Sequence, residues 1–235
     1  MSLRGKRVVV VGGSTGMGFE VAKAAVQDGA EVIIASRSQQ KLETAKAALG
    51  NVTAEVLDAV DENAVRDFFD RLDYADHIVI SAAVVNRKSF FDITLEEAHY
   101  AFETKFWTQF NVARHGSRKV RAAGSITLFS GISSRKGFPS LVVASAINGA
   151  VEALCRSLAL TLAPVRVNAV CPGFVATPSH DTSTGRKEVL ARVASMLPVK
   201  RVGRPEEIAQ AVLYLMKNEY STGAVIDVDG GHLAS

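Results

Sequence analysis

Three glycines, Gly12, Gly16 and Gly18, follow four consecutive valines (Val8 to Val11) and precede a helical pattern that begins at Phe19. Four valines are too few for a helix and too apolar for a surface loop, so they read as a buried strand. Strand, glycine turn and helix form the context in which such glycines can hold a dinucleotide. Gly12 permits the tight turn, Gly16 lets the backbone approach a pyrophosphate, and Gly18 lets the helix pack close to the strand. Ser14, Thr15 and Met17 fill the loop between them. The unpaired N–H groups at the helix start, at the positive end of its dipole, attract phosphate. Taken alone, the same pattern is also compatible with a strand-to-helix turn that binds nothing.

A second site of charge recognition is expected at Ser36 and Arg37, at the C-terminal end of an apolar run over 30–35. An acidic residue there would bind the free 2′-OH of NAD, whereas an arginine accommodates the 2′-phosphate of NADP. No carboxylate stands at Ser36 and an arginine follows it, which favours NADP(H) over NAD(H). A solvated loop charge is the alternative for Arg37.

The elements that must position these groups alternate without a break. Helices are expected over 16–28 (closed by Gly29), 41–49, 95–119 and 141–163, with a further helix near Glu62 and another from about 201. Strands are expected over 8–11, 30–35, 51–57, 76–83, 124–130, 165–170 and 225–231. The helix over 141–163 carries apolar residues at helical spacing. The segment 179–197 is polar, then weakly helical. With no linker or repeat between 6 and 231, the chain 1–235 reads as one α/β domain: a single-domain, Rossmann-type, doubly wound parallel sheet flanked by helices on both faces.

The spacing G-x-x-x-G-x-G over 12–18 resembles the short-chain dehydrogenase/reductase family. So do Arg166-Val-Asn-Ala-Val-Cys-Pro-Gly173 with Thr177 behind it, the run Arg201 to Ala209, and Val225 to Gly231. The fourth strand exits where the family has Asn-Asn-Ala-Gly, matched here only at Ala82. The resemblance implies that Asp58 accepts a hydrogen bond from the adenine amino group, although Asp58 or Asp61 could instead cap the next helix. It implies that Ala82, Pro172, Gly173 and Val175 line the cofactor and that Thr177 bonds the nicotinamide carboxamide. It also implies that 179–197 is a substrate lid, and that the aromatic helix with Phe102, Phe106, Trp107 and Phe110 joins subunits of a homodimer or homotetramer. Core packing is an equal reading for any one of those aromatics.

Family members use a tyrosine as general acid/base, a lysine one helical turn later, a serine that polarises the substrate oxygen, and an asparagine that completes a proton relay. Here those places fall on Ala144, Asn148, Gly131 and Lys105, and no tyrosine lies between Tyr100 and Tyr214. A positioned acid contributes about 10²–10⁴-fold to such a reaction, and alanine donates nothing. Three readings follow. The chain is an atypical NADP(H)-dependent oxidoreductase in which Lys105 supplies the proton or stabilises an oxyanion. Ser130, Ser133 and Ser145 would then be nearby hydroxyls, and conjugated alkenes or imines suitable substrates. Or it is a catalytically inactive NADP(H)-binding sensor or partner subunit. Or it is a scaffold that binds nothing, against which Gly12, Gly16, Gly18, Arg37 and Thr177 argue. The lid residues Ser179, His180, Asp181 and Arg186 indicate only polarity; His180 is a further candidate acid.

Composition narrows the remaining classes. The net charge of +3 is scattered over 235 residues, which argues against a nucleic-acid partner. No run of 18 apolar residues appears, so no membrane span is expected. The N-terminus leads straight into the first strand with no signal segment, and a cytoplasmic protein is expected. Cys155 and Cys171 sit in apolar stretches as reduced core residues. The five histidines do not cluster, so no metal is expected.

Overall fold

The computed structural model describes residues 2–82, 87–177 and 186–235. Its strands are β1 (Arg7–Val11), β2 (Glu31–Ser36), β3 (Thr53–Val56), β4 (Ala75–Ile80), β5 (Val120–Phe129), β6 (Arg166–Pro172) and β7 (Val225–Val228). They form one sheet of order β3-β2-β1-β4-β5-β6-β7, every pair parallel. The order reverses between β1 and β4, and the crevice beyond the C-terminal ends of those strands is where doubly wound sheets bind ligands.

The continuous valine run of β1 follows from burial on both faces. Val9 and Val11 point into one core, with Ile33, Ile78, Ile126 and Val167 of neighbouring strands. Val8 and Val10 point into the other, with Val32, Ile34, Val79 and Val170. The first core is closed by α3 (Glu62–Asp70), α4 (Leu95–Phe102), α5 (Thr108–Gly116) and α6 (Val142–Thr161). The second is closed by α1 (Gly16–Gln27), α2 (Gln39–Leu49) and α8 (Pro205–Lys217); α7 (Arg186–Met196) precedes α8. Starts are marked by side chains. Ser38 accepts from the Lys41 N–H before α2, Asp61 from Asn63 and Ala64 before α3, and Thr94 and Glu97 form a capping box on α4. The Asp58/Asp61 alternative is thereby resolved: Asp61 is the cap.

Two expectations are corrected. The helix expected over 95–119 is three pieces: α4, a single π turn over Glu103–Trp107, and α5, with a 3₁₀ turn over Ser117–Lys119. Hydroxyls meet the carbonyls that the wide turn loosens: Thr104 Oγ1 donates to Tyr100 O at 2.8 Å, and Thr108 Oγ1 to Glu103 O at 3.1 Å. Next, β5 begins at Val120 rather than Gly124, because Arg121, Ala122 and Ala123 lie in the strand but are exposed and carry no apolar signal. By length and composition alone α6 could cross a membrane, with a mean hydropathy of 1.3. Its buried face nevertheless carries Asn148 and Glu152, both hydrogen-bonded to protein groups, and the helix packs on the sheet as a core element.

Candidate active site

The glycine loop leaves β1 into the crevice. Gly12 adopts φ +87° and Gly16 φ +61°, conformations that side chains resist. A Cβ on Gly12 would stand 2.6 Å from the Ala82 nitrogen, and one on Gly18 would collide with the Gly12 carbonyl oxygen, so strand exit and helix start are in van der Waals contact. Gly16 differs. A Cβ there would meet only Thr177 side-chain atoms, at 3.7 and 3.8 Å, an ordinary van der Waals contact. The Thr15 side chain makes no capping bond to α1. Ser14 lies buried in the turn, and Met17 is the second residue of α1.

At the end of β2 the Ser36 hydroxyl is buried without a partner, and the exposed Arg37 beside it lies within reach of Tyr100 Oη at 3.4 Å. An orphaned hydroxyl next to an arginine fits a phosphate oxygen. Asp58 is exposed, its carboxylate held only by the Val60 N–H at 3.2 Å, and is free to accept from a ligand. On the other rim, Pro172 pairs with Val228 at the end of β6, Gly173 lies against the Asp229 backbone, and Val175 bridges to Gly203.

Deeper in the crevice stands Lys105. The π turn directs it inward: the residue is 6% exposed, while Trp107 two places on is 47% exposed. Its Nζ donates to Asn148 Oδ1 at 2.5 Å and to the Ser130 carbonyl oxygen at 3.1 Å. Asn148 Nδ2 in turn donates to Ser133 Oγ at 2.9 Å, which fixes the amide orientation. Burial pushes the Lys105 pKa down to about 8, because a desolvated ammonium is disfavoured. The Cys171 thiol opposes this shift only when ionised, and burial raises it to about 12, so it brings no charge to Lys105 near neutral pH.

Ser130 enters through its carbonyl; its hydroxyl donates to Glu152 Oε1 at 2.9 Å. Ser145 Oγ bonds back to Leu141 O within its own helix and stays apart from Lys105. Ala144 lies one turn before Asn148 on the same face of α6 and presents a methyl group. Gly131 leaves room for Asn148, whose Nδ2 would stand 2.8 Å from a Cβ there. Ser179, His180 and Asp181 fall outside the described residues, as does the side chain of Arg186. Among the described residues no cluster of metal-ligating side chains occurs.

Two supporting groups escaped sequence reasoning. Gln109, fully buried, accepts from the Phe129 N–H at 2.7 Å and donates to the carbonyls of Phe129 and Lys105. It ties the π turn to the end of β5. Glu152 accepts from Ser130, Ser134 and Arg135, and Arg135 grips both oxygens of Asp227 at 2.8 and 2.7 Å. A buried glutamate at helical spacing from Asn148 (i, i+4) was the one available signal.

A family model described as enoyl-(acyl carrier protein) reductase matches residues 11–232. An NADP-dependent (R)-specific alcohol dehydrogenase of Lentilactobacillus kefiri is 32% identical, with 99% of this chain and 98% of that protein covered. The crystal structure of a small-chain dehydrogenase in complex with NADPH is 38% identical with a TM-score of 0.87, covering 98% of this chain and 99% of that one. A short chain oxidoreductase from Pseudomonas aeruginosa PAO1, described as containing an atypical catalytic center, is 29% identical with a TM-score of 0.91, covering 98% of each chain.

Proposed function

The chain belongs to the short-chain dehydrogenase/reductase family, and on that premise we propose that residues 1–235 form one NADP(H)-binding domain of an atypical oxidoreductase, with Lys105 as its proton donor. The family's asparagine, serine, tyrosine and lysine places hold Lys105, Gly131, Ala144 and Asn148. Lysine and asparagine have thus exchanged positions, and the observation that carries the reading is that they meet: Lys105 Nζ bonds Asn148 Oδ1.

NADPH, when bound, supplies the hydride. The cradle at Gly12, Gly16 and the start of α1 would hold its pyrophosphate, Ser36 and Arg37 its 2′-phosphate, Asp58 the adenine amino group and Thr177 the carboxamide. The fit of Ser36 beside Arg37, and relatives described with NADP or NADPH, support NADP(H) over NAD(H). A Lys105 ammonium has three N–H groups, and two are engaged. The third moves its proton to the substrate atom that becomes basic on reduction. The neutral amine left behind still has two N–H groups, enough to keep both bonds, and regains a proton from water. Since Ala144 donates nothing, substrates that need little acid assistance suit the site: activated alkenes, imines and quinones. An oxidoreductase of this fold described as having an atypical catalytic center is a precedent.

The second reading, an inactive NADP(H)-binding sensor or partner subunit, draws on the methyl group of Ala144. The deciding experiment is a fluorescence titration with NADPH and NADH followed by NADPH oxidation with enones, imines and quinones. Binding with turnover establishes the oxidoreductase, binding without turnover the sensor, and no binding ends both. The scattered charge and the aromatic α4–α5 face support a cytoplasmic homodimer or homotetramer with a small-molecule substrate and without nucleic-acid or membrane partners.

A further inference from the structure

Where the loop after β5, the loop after β6, α7 and the residues after β7 converge lies a cavity of about 630 Å³. Its walls have two chemistries. Phe138, Phe174, Leu141, Val193 and Met196 make it apolar. Arg87, Lys136 and Arg192 make it cationic, and among the described residues no Asp or Glu side chain lines it. Lys136 donates to the His232 carbonyl oxygen at 2.8 Å and to a main-chain oxygen of the last residue, Ser235, at 2.7 Å, which offsets its charge. Arg87 lies over the Phe174 ring at 5.2 Å. Among the described residues neither Arg87 nor Arg192 has an acidic partner within ion-pair distance; elsewhere Arg135, Arg201 and Arg7 each grip a carboxylate. His232 is 6% exposed, stacked on Phe174 and edge-on to Phe138, and its Nδ1 has no partner. A polar atom buried without a bond in a wall of this kind calls for a ligand atom.

Arg87 and Arg192 bring two positive charges, without an acidic partner among the described residues, to one apolar cavity, and an anion relieves them. We propose that this cavity is the substrate-binding end of the site and takes an organic anion, a carboxylate or phosphate ester on an apolar body, with Arg87 and Arg192 on the charged group and Phe138 and Phe174 against the body. The inference rests on the oxidoreductase reading only for the word substrate. The two arginines are the specificity determinants; Lys136 and His232 complete the polar side. An apolar body between aromatic walls and a charged end at the cavity mouth also orients the ligand, so that one end alone faces inward.

The test is calorimetric titration of the full chain with 4-phenylbutyrate, 4-phenylbutyl phosphate and 4-phenylbutan-1-ol. At least one anion is expected to bind about tenfold or more tightly than the alcohol, as charge-assisted bonds imply, and the stronger of the two identifies the anionic group. Arg87→Gln with Arg192→Gln should erase the preference and leave the alcohol's affinity unchanged, whereas Arg87→Lys with Arg192→Lys should retain most of it. Both arginines are exposed, so the variants keep the fold. Equal binding of all three probes, no binding of any, or a preference that survives the glutamine substitutions overturns the proposal. Calorimetry needs no hydride transfer. Anion selectivity without NADPH oxidation therefore sinks only the catalytic reading, and NADPH oxidation without anion selectivity sinks only this one.

Discussion

A lysine ammonium in a desolvated position is held there at a cost, and that cost fixes how Lys105 must behave. With its pKa near 8, it is protonated and competent as an acid below that pH and progressively a neutral amine above it. The reductive rate is therefore expected to be level toward pH 6 and to fall about tenfold per pH unit above 8. A profile without that descending limb removes Lys105 from proton transfer. Lys105→Met should lower turnover by about 10²–10⁴-fold with the NADPH dissociation constant unchanged, read by stopped-flow and fluorescence titration. Stability carries the opposite sign. Because the folded pKa lies below the ordinary lysine value of 10.5, the unfolded chain binds more protons between about 8 and 10.5, and the native protein gains stability with rising pH in that window. Melting temperatures of the native protein should gain on those of Lys105→Met from pH 8 to 10. At the other end of the cofactor, Arg37→Ala should weaken NADPH about tenfold to a hundredfold, the strength of bonds to a charged group. NADH binding should change little; equal loss for both in calorimetry removes the 2′-phosphate assignment.

Among the elements, the strand-turn-helix at β1 and α1 and the π turn between α4 and α5 do most of the positioning. Gly18→Ala sets a methyl group against the Gly12 carbonyl and should cost about 1–3 kcal/mol in denaturant unfolding. Gly16→Ala meets no close neighbour. It should cost only the roughly 1–2 kcal/mol of a left-handed conformation, yet crowd the proposed pyrophosphate place and weaken NADPH. The first of these elements was readable from residue order because all its determinants lie within 8–18. The π turn was not. Phe102, Phe106, Trp107 and Phe110 satisfy an α-helical pattern whether or not one extra residue is inserted; Thr104 and Thr108 bond carbonyls of their own helix, and Gln109 ties the turn to Phe129, a partner that no local pattern reveals. The start of β5 escaped for the converse reason, since its first exposed residues look like loop.

For the molecule as a whole, the alternation of strands and helices made the layered sheet legible, and the glycine, Arg37 and Thr177 positions fall on the crevice rim. What sequence reasoning could not supply is adjacency across the chain: Lys105 with Asn148, Arg135 with Asp227, and Arg87 above Phe174. The aromatic ladder of Phe106, Trp107 and Phe110, with centroids 5.1 to 6.4 Å apart, leaves Trp107 half in solvent. If this face joins subunits, Trp107→Glu with Phe110→Glu should shift the sedimentation coefficient to that of a monomer; an unchanged coefficient relocates the interface.

The position of β7 has a consequence for synthesis on the ribosome. β6 is buried at every residue in the finished sheet, but its outer edge is covered only by β7, which ends at Val228. At about 5–20 residues per second, the roughly 55 residues between the two strands take about 3–11 s to translate. Throughout that interval the emerging chain carries an unpaired, Val-rich strand edge of the kind that recruits other chains. The same delay withholds Asp227 from Arg135. The yield of the protein should therefore respond more sharply to depletion of chaperones than its final stability would suggest.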